Sequence, residues 1–170
     1  VEQAQVGHLA DRPPWEVVEA GPGINRGNGR LAIGDGLPAE SKLTTTSAQR
    51  LRLRHRQADI DLVLLGPFHL ELLDGSSLRC QRGELRVTVG RRQPGDPFAV
   101  ATPHAHCTVL GTRFQVTVSP EETELQVSEG RVAFQPRTTD GELRPARIVT
   151  AGASALSAAA TTVPVPLVAY

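Results

Sequence analysis

Apolar residues recur at every second position in short runs along most of the chain. Leu51 and Leu53 alternate with arginines, Ile60, Leu62 and Leu64 form the next run, and Phe68, Leu70 and Leu72 follow. Leu85, Val87 and Val89 come next, then Phe114, Val116 and Val118, then Leu125 and Val127, then Val132 and Phe134. A period of two belongs to a half-buried strand, whose successive side chains point to opposite faces. Sixteen glycines and thirteen prolines interrupt these runs at short intervals, as turns between strands require. The pattern predicts an all-β fold, either a sandwich or a solenoid-like stack of short strands. Trp15 to Ala20 reads as a short helix opened by Pro13 and Pro14, or equally well as a strand. Asn28-Gly29 is a hairpin-turn signal.

The middle of the chain contains an internal repeat. LGPFHLELLDGSSLRCQRGELRVTV begins at Leu65, and LGTRFQVTVSPEETELQVSEGRVAF begins at Leu110. Leu78, Cys80, Gly83 and Leu85 correspond to Leu125, Val127, Gly130 and Val132. The expectation is two similar β units stacked on each other, with Gly83 and Gly130 at turns between strands where φ is positive. The ends differ from this middle. Residues 1–14 are polar without a period, and the last stretch is rich in Ala, Thr and Pro. The expected division is an N-terminal extension over 1–14, a β domain over 15–155 and an extended tail over 156–170.

The second unit and its approach carry a family signature. Phe98, Val100, Thr102 and Pro103 form one element, and Gly111, Thr112, Phe114 and Val116 a second. Thr123, Leu125, Val127, Gly130 and Val132 form a third. Together they resemble the FecR domain family. LAIGDGLPAESKLTT, from Leu31 to Thr45, resembles that family's Gly-Asp opening segment, so the resemblance covers roughly residues 15–155. It implies an extracytoplasmic all-β domain of bacterial cell-surface signalling, where such domains relay a signal to a sigma factor. In this sequence no cytoplasmic segment or membrane helix precedes the domain, and no mixed α/β module follows it.

Composition narrows the function. Eighteen basic residues balance eighteen acidic ones, which argues against a general nucleic-acid or anionic-membrane binder. No apolar run approaches the length of a membrane span, about twenty residues, and no secretory signal pattern stands at Val1. The chain has no methionine, so a mature product or a fragment of a longer chain is expected. Two cysteines, Cys80 and Cys107, both on predicted core positions, permit one disulfide, although two buried free thiols are expected.

The remaining candidate chemistry is sparse. His104 and His106 lie one residue apart and offer two metal ligands at most, with Cys107 on the other face; two solvent-facing histidines and no metal are expected. Arg50, Arg52, Arg54 and Arg56 would share one strand face as an anion- or partner-binding stripe. The competing reading pairs Arg56 with Asp59 and Arg54 with Asp61 across a turn at Gln57-Ala58, which neutralises the stripe. Glu121, Glu122, Glu124 and Glu129 read as a solvated strand edge. All four phenylalanines fall on inward positions, which leaves only Trp15 and Tyr170 for a glycan platform. No nucleophile elbow or phosphate-cradling loop is present.

The expected function is therefore binding without catalysis and without a cofactor. The partners would be other envelope proteins, docked on strand edges. Phe98, Thr102, Pro103, Gly111, Thr112, Phe114, Gly130 and Val132 would serve as structural motif residues. The alternative is a structural or accessory subunit of a larger envelope-associated complex, with Val163 to Tyr170 lying across a neighbour.

Overall fold

A computed structural model describes residues 13–158 apart from Asn28, Gly75 and Pro94. The expectations for residues 1–12, for the stretch from 159 to Tyr170 and for Asn28 in its turn lie outside the described residues.

The described chain is all β. The first six strands are β1 (Trp15–Ala20), β2 (Asn25–Arg26), β3 (Gly29–Arg30), β4 (Gly36–Leu37), β5 (Lys42–Thr45) and β6 (Arg50–His55). Two long strands follow, β7 (Ile60–Leu72) and β8 (Ser77–Val89). The rest are β9 (Phe98–Ala101), β10 (Ala105–Val109), β11 (Thr112–Val118), β12 (Glu122–Glu129), β13 (Arg131–Pro136), β14 (Arg147–Thr150) and β15 (Ser154–Ala158). The segment at Trp15 is thus a strand, and Trp15 is fully buried rather than available to a ligand.

β7 and β8 form an antiparallel ribbon that belongs to two branches of one sheet. One branch runs β4-β1-β6-β7-β8-β11-β12-β15, and the other β3-β2-β5-β7-β8-β9-β10-β13-β14. The only parallel pairing among the described strands joins Ser77–Arg79 of β8 to Ala99–Ala101 of β9. The ribbon changes branch where its register shifts. Leu65 faces Glu84 and His69 faces Arg82, so Gly66, Pro67 and Phe68 stand against Gly83 alone. Extra residues on one strand bend it locally, and Pro67 brings no N–H to the ladder.

Gly83, expected at a turn, lies instead inside β8. Its φ of 119° is open to glycine and closed to most other residues. Across it the inward side chains change parity, from Leu78 and Cys80 to Leu85, Val87 and Val89. Gly83 thus lets one continuous strand present its apolar face first to one branch and then to the other. Gly130 does sit at a turn, between β12 and β13, with φ 79°.

The repeated units are hairpins in different branches. His69–Leu72 pairs back on Leu78–Arg82, and β11 pairs back on β12. The registers differ: Cys80 faces Leu70, while Val127 faces Phe114. Both branches turn their apolar faces onto one buried cluster, which includes Trp15, all four phenylalanines and the two cysteines. Burial of such alternating faces is the main favourable term for the fold. At the C-terminal side, Leu156, Ser157 and Ala158 belong to β15 rather than to a tail.

Candidate functional site

The motif residues gather at the junctions between strands. Phe98, Phe114 and Val132 are buried core side chains. Thr112 donates its hydroxyl to the carbonyl of Arg131 at 2.8 Å. A Cβ on Gly130 would lie 2.5 Å from the carbonyl oxygen of Gly111, so these two turns pack backbone against backbone.

Thr102-Pro103-His104 forms a second junction, between β9 and β10. The Thr102 hydroxyl accepts the N–H groups of Ala105 (3.0 Å) and His104 (3.2 Å). It lies 2.8 Å from the Thr123 hydroxyl, which in turn lies 2.9 Å from His104 Nδ1. His104 Nε2 is 3.3 Å from the carbonyl of Pro120. A carbonyl only accepts, so Nε2 carries the proton and Nδ1 accepts from Thr123. Thr102 then donates to Thr123, and every hydroxyl in the chain of bonds is used. Ser157 of β15 donates to the His104 carbonyl at 2.8 Å. Thr102, His104, Thr123 and Ser157 are all buried. They join β12 and β15 of one branch to the β9–β10 turn of the other. Thr123 stands in the family signature as Thr102 does, but the sequence does not show that the two meet, and Ser157 carries no signal at all, because serine on strands is common and its partner is distant along the chain.

This arrangement corrects the expectation for the histidines. His104 is 3 % exposed, and both of its ring nitrogens are occupied. His106 is half-buried on the opposite face of β10 from Ala105, Cys107 and Val109. Burial, and then the Arg137 charge, hold its pKa below the usual value. The pair does not converge, and no group of three or more His, Cys, Asp or Glu side chains able to hold a metal occurs among the described residues. Cys80 and Cys107 are buried free thiols, and burial pushes each pKa up to about 12.

Arg50, Arg52 and Arg54 do share the outer face of β6, while Leu51, Leu53 and His55 point inward. Arg54 faces Asp61 across the ladder, as the register predicts. The Asp61 carboxylate, however, takes Arg52, through Nη2 at 2.8 Å and Nε at 3.1 Å. Arg50 reaches Glu19 at 3.6 Å and Arg56 reaches Glu16 at 3.9 Å, both acids of β1. Arg56 lies past the end of β6, so it meets Glu16 rather than Asp59. Carboxylates on both neighbouring strands thus flank the stripe, and as exposed pairs they contribute little stability. His55 folds inward beside Trp15, with ring centroids 5.0 Å apart and edge to face. Its Nδ1 accepts the N–H of Ala58 at 2.8 Å and of Gln57 at 3.2 Å.

Two described strands at the C-terminal side have an open edge. Among the described residues β14 pairs only with β13, and β15 only with β12. β15 reads SALSA, without a charge or proline. Such an edge offers unpaired backbone groups to an added strand.

Residues 69–133 match the family described as FecR protein. No curated protein matches the chain. Among solved structures, two crystal structures of a "putative anti-sigma factor" from Parabacteroides distasonis share the fold. Each has a TM-score of 0.56, with 15% identity in one and 16% in the other. The similarity covers 68% of this chain and 53% of that one, so this chain spans about half the length of that protein. Among the described residues no helix is long and apolar enough to cross a membrane.

Proposed function

Starting from the FecR-family segment at residues 69–133, we propose that this chain is an extracytoplasmic sensor or regulatory domain that binds protein partners in envelope signalling to a sigma factor. The observation that carries the reading is where the matched segment falls. It spans both repeated hairpins, the Thr102-His104 junction and the Gly111–Gly130 contact, so it coincides with the part of the fold that joins the branches. The fold shared with a "putative anti-sigma factor" supports the same reading. The open edges of β14 and β15 supply docking groups, and among the described residues both thiols are buried and both ring nitrogens of His104 are hydrogen-bonded.

Cross-linking and mass spectrometry on the native envelope fraction test the proposal. Links to a sigma-regulatory protein or an outer-membrane receptor are the expected result. Links in constant ratio to the subunits of one large complex would overturn it and make the chain an accessory subunit.

A further inference from the structure

A second surface lies away from the arginine stripe. Thr108 of β10 faces Ala133 of β13, and Ala133 faces Ile148 of β14. This row alternates with inward Cys107, Phe134 and Val149, so it lies on the outer face of the sheet. Leu110 follows two residues after Thr108. Leu110 and Ile148 are large apolar side chains left 40% and 58% exposed. Both line a groove of about 660 Å³, together with Ala133 and the backbone of Gly111 and Gly130.

The rest of the lining is strongly basic. Arg91, Arg92, Arg113 and Arg131 border the groove, against Glu129 as the one acid in its lining. Arg92 is satisfied by Asp96 at 2.9 Å, and Arg113 by Glu129 at 3.6 Å. Arg91 and Arg131 have no acid partner among the described residues. On β13, Arg131 stands on the same face as Ala133 and opposite Thr150 of β14. Two unneutralised guanidiniums therefore sit beside an exposed aliphatic floor, in a chain whose formal net charge is zero.

We propose that this groove binds an acidic peptide segment anchored by an aliphatic side chain. Leu110, Ala133 and Ile148 receive the anchor, and Arg91 and Arg131 pair with carboxylates on either side of it. Charge complementarity selects the partner and the apolar floor holds it. The exposed floor is aliphatic, which suits a peptide better than a sugar or a nucleobase, since those stack on aromatic rings. The inference rests on the partner-binding reading above and names the partner's chemistry.

Fluorescence anisotropy on the full 170-residue chain tests it. The probe is a capped, fluorescein-labelled octapeptide of alternating glutamate and leucine. Two companions replace glutamate by glutamine, or leucine by serine. Saturable binding of the Glu-Leu peptide is expected. It should weaken about tenfold or more in the Arg91→Glu, Arg131→Glu double variant and also in Ile148→Ser. The milder Arg91→Gln, Arg131→Gln pair should weaken it less, with circular dichroism unchanged. No saturable binding, binding untouched by these variants, or equal binding of either companion peptide would overturn the proposal. An envelope partner found by cross-linking while the peptides fail overturns the groove alone. Peptide binding without any signalling partner in the envelope overturns the signalling reading alone.

Discussion

Gly83 and Gly130 are the residues on which local geometry depends most. A Cβ on Gly83 would lie 2.7 Å from Phe68 Cβ, in a backbone conformation with φ 119°. A Cβ on Gly130 would meet the Gly111 carbonyl in a conformation with φ 79°. Gly83→Ala and Gly130→Ala should each destabilise the fold by about 2–3 kcal/mol, read as a shift in urea midpoint. A wild-type midpoint in both would remove the junction argument. His55 sets a pH dependence. Burial, and then the Arg92 charge, lower its pKa, so below the usual value of about 6.5 the unfolded chain binds the proton more readily. His106 shifts in the same direction. Stability should therefore be full above that value and fall as the pH drops through it. Melting curves at pH 7.5 and pH 5 should differ less in His55→Asn, which keeps an acceptor for the N–H groups of Gln57 and Ala58, than in the parent.

At the scale of elements, the period of two was enough to find the inward residues. Leu51, Leu62, Val87, Val116 and Val132 are all buried where alternation places them. The length of β7 was not legible, because Gly66-Pro67 looks like a turn between two short strands. It is a bend within one ladder, held by partners on β5, β6 and β8 that sequence order does not reveal. The arginine stripe shows the same limit. Its partner on β7 follows from a tight turn, whereas Glu16 and Glu19 arrive from a strand far back in the chain. The histidine pair does not share a strand face because His104 precedes β10 and its ring turns inward to Thr123. β15 gives no strand signal in the sequence, since SALSA has little apolar contrast. It nevertheless covers β12 and places Ser157 against His104. A chain ending at Ala153 should be less stable than one ending at Ala158 by about 2 kcal/mol, measured by thermal melting. Equal melting temperatures would show β15 to be dispensable.

At the scale of the molecule, two branches share a ribbon and are held at their far sides by polar bonds. Thr123 makes two of those bonds, to Thr102 and to His104. Thr123→Val keeps the shape and strands both partners in a buried site, so a loss of about 1–3 kcal/mol is expected. Thr123→Ser should recover most of it. If Val and Ser melt alike, the hydroxyl is not what holds the branches. The open edges of β14 and β15 lie outside the shared ribbon, whereas the groove beside Arg91 and Arg131 reaches it, since Thr88 and Val89 of β8 line the groove together with residues of β10, β11, β13 and β14.

The ribbon itself has a kinetic consequence. β7 and β8 are adjacent in sequence, yet each is flanked by other strands in both branches. Closing the short loop between them costs little chain entropy, and once formed the hairpin offers a template edge to β6, β5, β11 and β9. Amide hydrogen exchange should therefore be slowest along the paired residues of Ile60–Leu65 and Glu84–Val89 and fastest in β14 and β15. In pulse-labelled refolding the same central amides should be the first protected. Early protection of β12 or β13 instead would mean that folding begins in the second hairpin.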